Sequence, residues 1–218
     1  MRPEDLSPRQ NYVDQLYAQE DAGLQSVRAR LVAAGRWGVN IGANEGVILQ
    51  ILLRAIGAKK IVEIGTLFGY STVWMARALA DGGHVFTLER DPACATAARQ
   101  TFQDCKVDKA VTLLEGEAIT SLAKLEEHAP YDIVFIDANK SAYVEYLEWA
   151  TRNTRKGGLI IADNTFLGGH VLATEKPTSL SQKQWREMRK FNELIADRTK
   201  YHATILPTTE GLTIALKL

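Results

Sequence analysis

Residues 60–71 read KIVEIGTLFGYS, and this stretch sets the pattern that the rest of the chain repeats. Its first part, Lys60–Ile64, is a β-branched run that predicts a short strand. A turn containing Gly65 and Gly69 follows, and a helix is predicted from about Ser71 to Ala80. A strand, a tight turn and a helix in this order are typical of the βαβ units that build a parallel sheet.

The same alternation continues downstream. Further strands are predicted at His84–Leu88, Ala110–Leu114, Tyr131–Ile136 and Leu159–Ala162. Helices are predicted between them, at about Asp91–Gln103, Ala118–Glu127 and Ser141–Asn153. Right-handed crossovers between such strands give an α/β fold with a parallel sheet.

Both ends of the chain depart from this alternation. A polar helix is predicted from Ser7 to about Gly35, and a second helix from Asn44 to Gly57. Near the C-terminus, a loop over 164–181 and a helix over 182–198 precede two short apolar runs, Ala203–Leu206 and Leu212–Leu216. These runs predict a hairpin, so we expect a Rossmann-like, mainly parallel sheet that closes with an antiparallel hairpin.

Composition and charge narrow the class of protein. The chain has 218 residues, 46% of them hydrophobic, which suits one globular domain. Its 26 Lys and Arg balance 26 Asp and Glu, so the basic surface that binds nucleic acid is not expected. No apolar signal segment is visible, and charges interrupt the most apolar stretch, Val47–Ile64, so no membrane span is expected. Cys94 and Cys105 lack metal or redox spacing, which predicts reduced thiols in a cytoplasmic protein.

The glycine turn after the first strand is a candidate ligand site. Ligands of open α/β sheets bind beyond the carboxyl ends of the strands. The spacing of Gly65 and Gly69 is neither the dinucleotide fingerprint nor a P-loop, which favours a nucleoside without phosphates. Glu89 ends the next strand, where a carboxylate can accept both ribose hydroxyls. An ordinary βα turn followed by a surface acid is the alternative.

Oxygen ligands follow two strands that are expected to be neighbours. Asp137 comes directly after the fourth strand, and Asp163 and Asn164 follow the fifth. Two carboxylates and an amide, without thiolate or imidazole, suit Mg²⁺, with Ca²⁺ or Mn²⁺ also possible. The alternative is that these side chains only cap the following segments.

Lys140 lies three residues after Asp137, at the predicted start of a helix. A divalent cation and a cationic cofactor nearby would lower its pKa, which predicts a general base. A solvated lysine is the alternative. Two further features are open between function and structure: the loop over 164–181, as an acceptor cover or a surface loop, and Trp37, Trp149 and Trp185, as pocket walls or packing residues.

These residues together resemble the cation-dependent O-methyltransferases, the group of catechol and caffeoyl-CoA O-methyltransferases. The resemblance runs from about Ala43 to the C-terminus. It is carried by Asn-Glu-Gly at 44–46, EIGTLFGYS at 63–71, YDIVFIDANK at 131–140 and Asp-Asn-Thr at 163–165. The plant branch of this family usually differs at Asn139 and at Gly168-Gly169, so the resemblance does not name the acceptor.

The resemblance implies the seven-stranded class I methyltransferase sheet with helices on both faces, as one domain over residues 1–218. It implies S-adenosylmethionine (SAM) as cofactor, contacted by Ile41, Glu63, Gly65, Thr66, Ser71, Glu89, Ala118 and Asp137. It also implies Asp137, Asp163 and Asn164 as metal ligands and Lys140 as the base. In such proteins the segment 1–43 would contribute to the acceptor site and to a homodimer contact.

The expected activity is therefore metal-dependent methylation of one hydroxyl of a vicinal dihydroxy aromatic, such as a caffeoyl derivative or a flavonoid. Three alternatives stay open at this point. A nucleotide-dependent oxidoreductase would share the fold, although the dinucleotide fingerprint is missing. A non-catalytic SAM-binding protein, or a methyltransferase acting on RNA or protein, would also keep the glycine turn.

Overall fold

The computed structural model describes residues 7–36, 38–175 and 177–218. Its strands are β1 (Lys60–Ile64), β2 (His84–Glu89), β3 (Val111–Glu115), β4 (Tyr131–Ile136), β5 (Thr154–Ala162), β6 (Tyr201–Leu206) and β7 (Leu212–Lys217). Its helices are α1 (Pro8–Tyr17), α2 (Ala22–Ala33), α3 (Ala43–Ala55), α4 (Tyr70–Ala76), α5 (Pro92–Asp104), α6 (Ala118–Leu125), α7 (Tyr143–Asn153) and α8 (Gln182–Ile195). Within the described ranges, none of the helices has the length and apolar character that a bilayer crossing requires.

The strands form one seven-stranded sheet in the order β3-β2-β1-β4-β5-β7-β6. The pairs β2–β3, β1–β4 and β4–β5 are parallel, whereas β7 runs antiparallel to both β5 and β6. This confirms the predicted fold class, including the C-terminal hairpin. The strand order reverses direction between β1 and β4, which is where open α/β sheets bind their ligands.

Contacts along the chain divide it into two compact units. The first comprises the residues up to Lys60 together with Thr66–Glu117, and the second comprises Ile61–Gly65 together with Ala118–Leu218. The expectation that residues 1–218 act as one domain stays a prediction.

In the first unit, the predicted single helix from Ser7 to Gly35 is wrong, because the chain forms α1 and α2 instead. The side chain of Asp21 accepts a hydrogen bond of 3.0 Å from the backbone N–H of Leu24 and so starts α2 as its N-cap. Helix α2 buries Leu24, Val27 and Leu31, whereas α1 buries none of its residues.

In the second unit, β4 agrees with its predicted bounds, and every residue of it except Asp132 is buried. The predicted start of β5 at Leu159 is wrong, because the strand begins at Thr154, which pairs with Tyr131 across a register shift. Gly158 permits this path, since a Cβ there would lie 2.7 Å from the carbonyl oxygen of Asp132. Helix α7 begins at Tyr143, after a short 3-10 turn over Lys140–Ala142, rather than at Ser141.

Candidate active site

The ends of β4 and β5 bring two of the predicted metal ligands to one edge of the sheet. Ile136 and Ala162 are the last paired residues, and Asp137 and Asp163 follow them directly. The backbone N–H of Asp163 donates to the carbonyl of Ile136 at 3.0 Å, so the two strands stay paired up to these aspartates. The sequence argument that both residues end neighbouring strands is confirmed, and metal binding by them stays a prediction.

Asn164 follows Asp163 in the left-handed backbone conformation, with a φ of 58°. Asparagine tolerates this conformation better than most residues. The next residue fixes the path of the chain, since the backbone N–H and the hydroxyl of Thr165 both donate to the carbonyl of Gly211, at 3.0 and 2.9 Å. The backbone at Asn164 is thus anchored at the next residue by these two bonds to Gly211, directly before β7.

The three residues offer oxygen donors to a cation. Among the described residues, no group of three or more His, Cys, Asp or Glu side chains is arranged to hold a metal. The predicted set contains two carboxylates and an amide, and hard oxygen donors of this kind are those that Mg²⁺ prefers. The donor types of the set would suit Mg²⁺, and binding of the ion stays a prediction.

Lys140 lies in a polar cluster with the first of these aspartates. Its Nζ is 2.9 Å from Oδ1 of Asp137 and 2.9 Å from the hydroxyl of Tyr143. The side chains of Lys140 and Asp137 are only 19% and 16% exposed. Burial lowers the pKa of Lys140, but Asp137 and Tyr143 raise it by more. These contacts alone therefore raise the pKa of Lys140. The lowering expected beside a divalent cation and a cationic cofactor stays a prediction.

Tyr143 belongs to the cluster and was missed by the sequence argument. Its side chain is fully buried, and its hydroxyl donates to the backbone carbonyl of Asp163 at 2.9 Å. Burial raises the pKa of Tyr143, so the phenol keeps its proton. The spacing in the sequence could have indicated this contact, because Tyr143 lies three residues after Lys140 and residues at this spacing share one face of a helical turn.

Glycine is needed at position 65 for a structural reason that the sequence argument did not find. Gly65 has a φ of 99°, and a Cβ there would lie 2.0 Å from the carbonyl oxygen of Asp137. The backbone N–H of Asp137 in turn donates to the carbonyl of Ile64 at 2.9 Å. Glycine is required at this point by the close approach of two backbones, so its presence alone does not indicate a ligand. Glu63 precedes it on β1 and is fully buried, opposite Phe135.

In the first unit, Glu89 binds the backbone of the turn that follows Gly65. One carboxylate oxygen accepts from the backbone N–H of Leu67 at 2.7 Å, and the other accepts from that of Asp91 at 2.8 Å. Leu67 has a φ of 51°, an uncommon conformation that the bond to Glu89 supports. Glu89 is therefore more than a surface acid, and each of its oxygens retains lone pairs for a ribose hydroxyl.

The remaining predicted cofactor residues lie at the ends of elements. Thr66 is buried, and its hydroxyl is 2.6 Å from that of Thr87 on β2. Ser71 is buried in the first turn of α4, Ile41 is buried just before α3, and Ala118 is the first residue of α6. These positions agree with backbone or side-chain contacts to a ligand, and the contacts themselves stay predictions.

Helix α8 fixes the first half of the loop over 164–181. Three of its side chains donate to loop carbonyls: Trp185 to His170 at 3.0 Å, Arg189 to Ala173 at 3.0 Å and Asn192 to Thr165 at 2.9 Å. The three donors are spaced four and three residues apart and therefore lie on one face of the helix. These bonds hold this part of the loop against α8. A role of the loop as a cover over the acceptor stays a prediction.

Two of the three tryptophans that were open between pocket walls and packing residues have ring contacts among the described residues. Trp149 is buried, with its ring 5.8 Å from that of Tyr131, which indicates packing. Trp185 lies beneath the guanidinium of Arg189 at 4.8 Å. Trp37 lies outside the described residues.

Comparisons with known proteins identify the family. A family model described as O-methyltransferase matches residues 15–218. The catechol O-methyltransferase of Niastella koreensis is 39% identical over 198 residues, which cover 90% of this chain and 88% of that protein.

Two solved structures share the fold along nearly the whole chain. The O-methyltransferase TomG of Streptomyces achromogenes, involved in tomaymycin synthesis and solved with SAM, is 31% identical; the match covers 100% of this chain and 99% of that one, with a TM-score of 0.89. An O-methyltransferase of Bacillus cereus solved with SAH is 33% identical, with coverages of 98% and 99% and a TM-score of 0.87. The comparisons confirm the predicted resemblance and support neither the oxidoreductase nor the non-catalytic alternative. The chain belongs to the SAM-dependent O-methyltransferase family.

Proposed function

We propose that this enzyme transfers the methyl group of SAM to one hydroxyl of a vicinal dihydroxy aromatic, such as a catechol, a caffeoyl derivative or a flavonoid, and requires Mg²⁺ or a similar divalent cation. The observation that carries the proposal is the cluster at the ends of β4 and β5, where Lys140 contacts Asp137 and Asp163 follows the neighbouring strand. The similarity to a catechol O-methyltransferase supports the acceptor class.

Asp137, Asp163 and Asn164 are the residues that would hold the cation. Asp163 is buried and Asn164 is half-buried, so both would bind an ion out of bulk water. A divalent ion bound there would make an acceptor hydroxyl more acidic. Two vicinal hydroxyls would suit a site whose protein ligands leave more than one position free.

Lys140 is the proposed base that takes the hydroxyl proton. The carboxylate of Asp137 favours the ammonium form, and an ammonium cannot accept a proton. The role of base therefore requires cationic charge beside Lys140, as the sequence argument assumed. Lys140 is the nearest amine to Asp137 among the contacts of the described residues, at 2.9 Å.

The proposed contacts to SAM are those that the resemblance implies: Ile41, Glu63, Gly65, Thr66, Ser71, Glu89, Ala118 and Asp137. Glu89 is the residue proposed to accept from the ribose hydroxyls, because it ends β2 and its carboxylate is already oriented by two backbone N–H groups. A pre-oriented carboxylate loses little freedom on binding.

The variant Glu89→Gln is expected to weaken SAM binding by at least about tenfold, since hydrogen bonds to a charged acceptor are the stronger kind. The measurement is the dissociation constant of SAM by calorimetry. Glu115→Gln is a matched control, because Glu115 is the register partner of Glu89 on β3. Equal affinities for wild type and Glu89→Gln would refute the ribose assignment.

Removal of divalent ions is expected to lower methyl transfer to a catechol to below about a tenth of its rate, and added Mg²⁺ should restore it. The measurement compares turnover in EDTA with turnover after the addition of Mg²⁺, and SAM binding serves as the control for intact protein. Full activity in EDTA would remove the metal from the proposal.

The experiment that tests the acceptor class is a methyl-transfer screen with and without Mg²⁺. Free catechols, caffeoyl esters, their CoA thioesters and flavonoids are compared with monohydroxy analogues of each. Transfer only to the dihydroxy compounds supports the proposal, and equal transfer to the monohydroxy analogues contradicts it.

The homodimer and the cytoplasmic location are two further proposals. A homodimer with a contact from residues 1–43 agrees with the exposure of Tyr12 and Leu16, which are four residues apart on α1 and 64% and 53% exposed. Light scattering on the purified protein would test it. The cytoplasmic location agrees with Cys94 and Cys105, which are both free thiols.

A further inference from the structure

Tyr143 connects the proposed base to the strand that carries the second aspartate. Its hydroxyl oxygen is 2.9 Å from Nζ of Lys140 and 2.9 Å from the backbone carbonyl oxygen of Asp163. Its ring packs edge-on against Phe191 of α8, with the ring centres 5.3 Å apart. The bond to the carbonyl of Asp163 and the packing against Phe191 therefore fix the position of the hydroxyl.

The hydrogen-bonding capacity of a phenol fixes the direction of each bond. Tyr143 has a single hydroxyl proton, and a backbone carbonyl can only accept. The carbonyl of Asp163, at 2.9 Å, is closer than that of Ile136, at 3.4 Å, and takes this proton. Toward Lys140 the phenol oxygen can therefore only accept.

This direction of bonding orients the amine of Lys140. Two of its N–H groups point to acceptors, one to Oδ1 of Asp137 and one to the oxygen of Tyr143. The amine of Lys140 is therefore fixed between two acceptors, the carboxylate of Asp137 and the phenol oxygen of Tyr143.

We propose that Tyr143 is a positioning residue for methyl transfer: its hydroxyl oxygen accepts from Lys140 and, together with Asp137, fixes the position of the amine. The inference rests on the proposed function, in which Lys140 is the base. It assigns to the hydroxyl of Tyr143 a role that packing alone would not require, because the hydroxyl contacts Lys140 at 2.9 Å in addition to the ring, whose centre is 5.0 Å from Nζ.

The variant Tyr143→Phe isolates this role because it keeps the ring and removes only the oxygen. Its kcat is expected to fall by at least about tenfold, whereas KM for the acceptor and the dissociation constants of SAM and Mg²⁺ stay within about twofold. Tyr131→Phe is the matched control, because Tyr131 is also buried and donates to a backbone carbonyl, that of Leu125, at 2.6 Å. That variant should keep the wild-type kcat.

A second measurement does not depend on turnover. Competitive acetylation of lysines, read by mass spectrometry, reports how firmly Lys140 is held relative to the exposed Lys124. Loss of one anchor should raise the relative labelling of Lys140 by roughly fivefold in Tyr143→Phe, with no change in Tyr131→Phe. Thermal unfolding of both variants reports whether either has lost its fold.

The outcomes separate this proposal from the proposed function. An unchanged kcat in Tyr143→Phe overturns the positioning role, and so does a loss of Mg²⁺ binding, which would place the effect at Asp163 instead. A wild-type enzyme that methylates no dihydroxy acceptor refutes the proposed function. In that case the labelling alone tests Tyr143, and unchanged labelling of Lys140 overturns the proposal.

Discussion

Replacement of Lys140 by alanine is expected to lower kcat for catechol methylation by about 10²- to 10⁴-fold, the range that a general base contributes. The substitution removes the amine that lies 2.9 Å from Asp137 and leaves the backbone of the 3-10 turn intact. Binding of SAM should change little, because Lys140 is not among the proposed cofactor contacts. Single-turnover rates and calorimetric titration measure the two quantities separately.

Lys124→Ala is the control for this experiment, because Lys124 is exposed on α6 and makes no proposed contribution to chemistry. A Lys140→Ala enzyme whose kcat stays within a factor of about three of wild type would exclude Lys140 as the base. Removal of the ammonium also exposes Asp137 to other cations, so Mg²⁺ affinity should rise or remain unchanged and should not fall.

The second large effect is expected for Gly65→Ala, which should lower the free energy of unfolding by more than about 3 kcal/mol. The new Cβ would lie 2.0 Å from the carbonyl oxygen of Asp137, and the backbone φ of 99° is itself unfavourable for alanine. The clash can be relieved only if the ends of β1 and β4 separate, because the atoms that the Cβ would meet first, the carbonyl oxygen and carbon of Asp137, belong to the backbone. Urea denaturation of the purified variants measures the effect, and a low soluble yield would be its first sign.

Gly82→Ala separates the two contributions to this loss. Gly82 also has a positive φ, of 74°, but a Cβ there would have no neighbour within 4 Å. The control should therefore lose only the conformational part, about 1–2 kcal/mol. Equal losses for the two variants would contradict the steric argument at Gly65.

The parts of the fold that the sequence predicted are those with local causes. Strand β4 was predicted to the residue because its side chains are apolar on both faces and a turn follows at once. The placement of Asp137 and Asp163 at one edge followed from parallel topology, which needs only the order of strands and helices. The antiparallel hairpin was visible because two short apolar runs flank a turn around Gly211.

Most of the parts that the sequence did not predict depend on contacts that leave no local pattern in the chain. The bond between Tyr143 and the carbonyl of Asp163 joins residues 20 positions apart and leaves no pattern in the chain. The need for glycine at position 65 arises from Asp137, which the turn itself does not contain. The break between α1 and α2 had a local cause in Asp21, yet the polar composition on both sides of it concealed the N-cap. The raised pKa of Lys140 in the present contacts depends in part on Tyr143, which the sequence argument did not include.

The bonds from α8 to the carbonyls of Thr165, His170 and Ala173 have a dynamic consequence. Because one face of a 14-residue helix supplies all three donors, the loop segment 165–173 cannot open locally without giving up bonds to a rigid element. Its amide hydrogens should thus exchange with solvent through the same cooperative opening as the helix, and not through the rapid fraying that is usual for a surface loop. We therefore expect the backbone next to Asn164 to open as slowly as a helix does. A ligand to a metal ion needs a position that is held in this way.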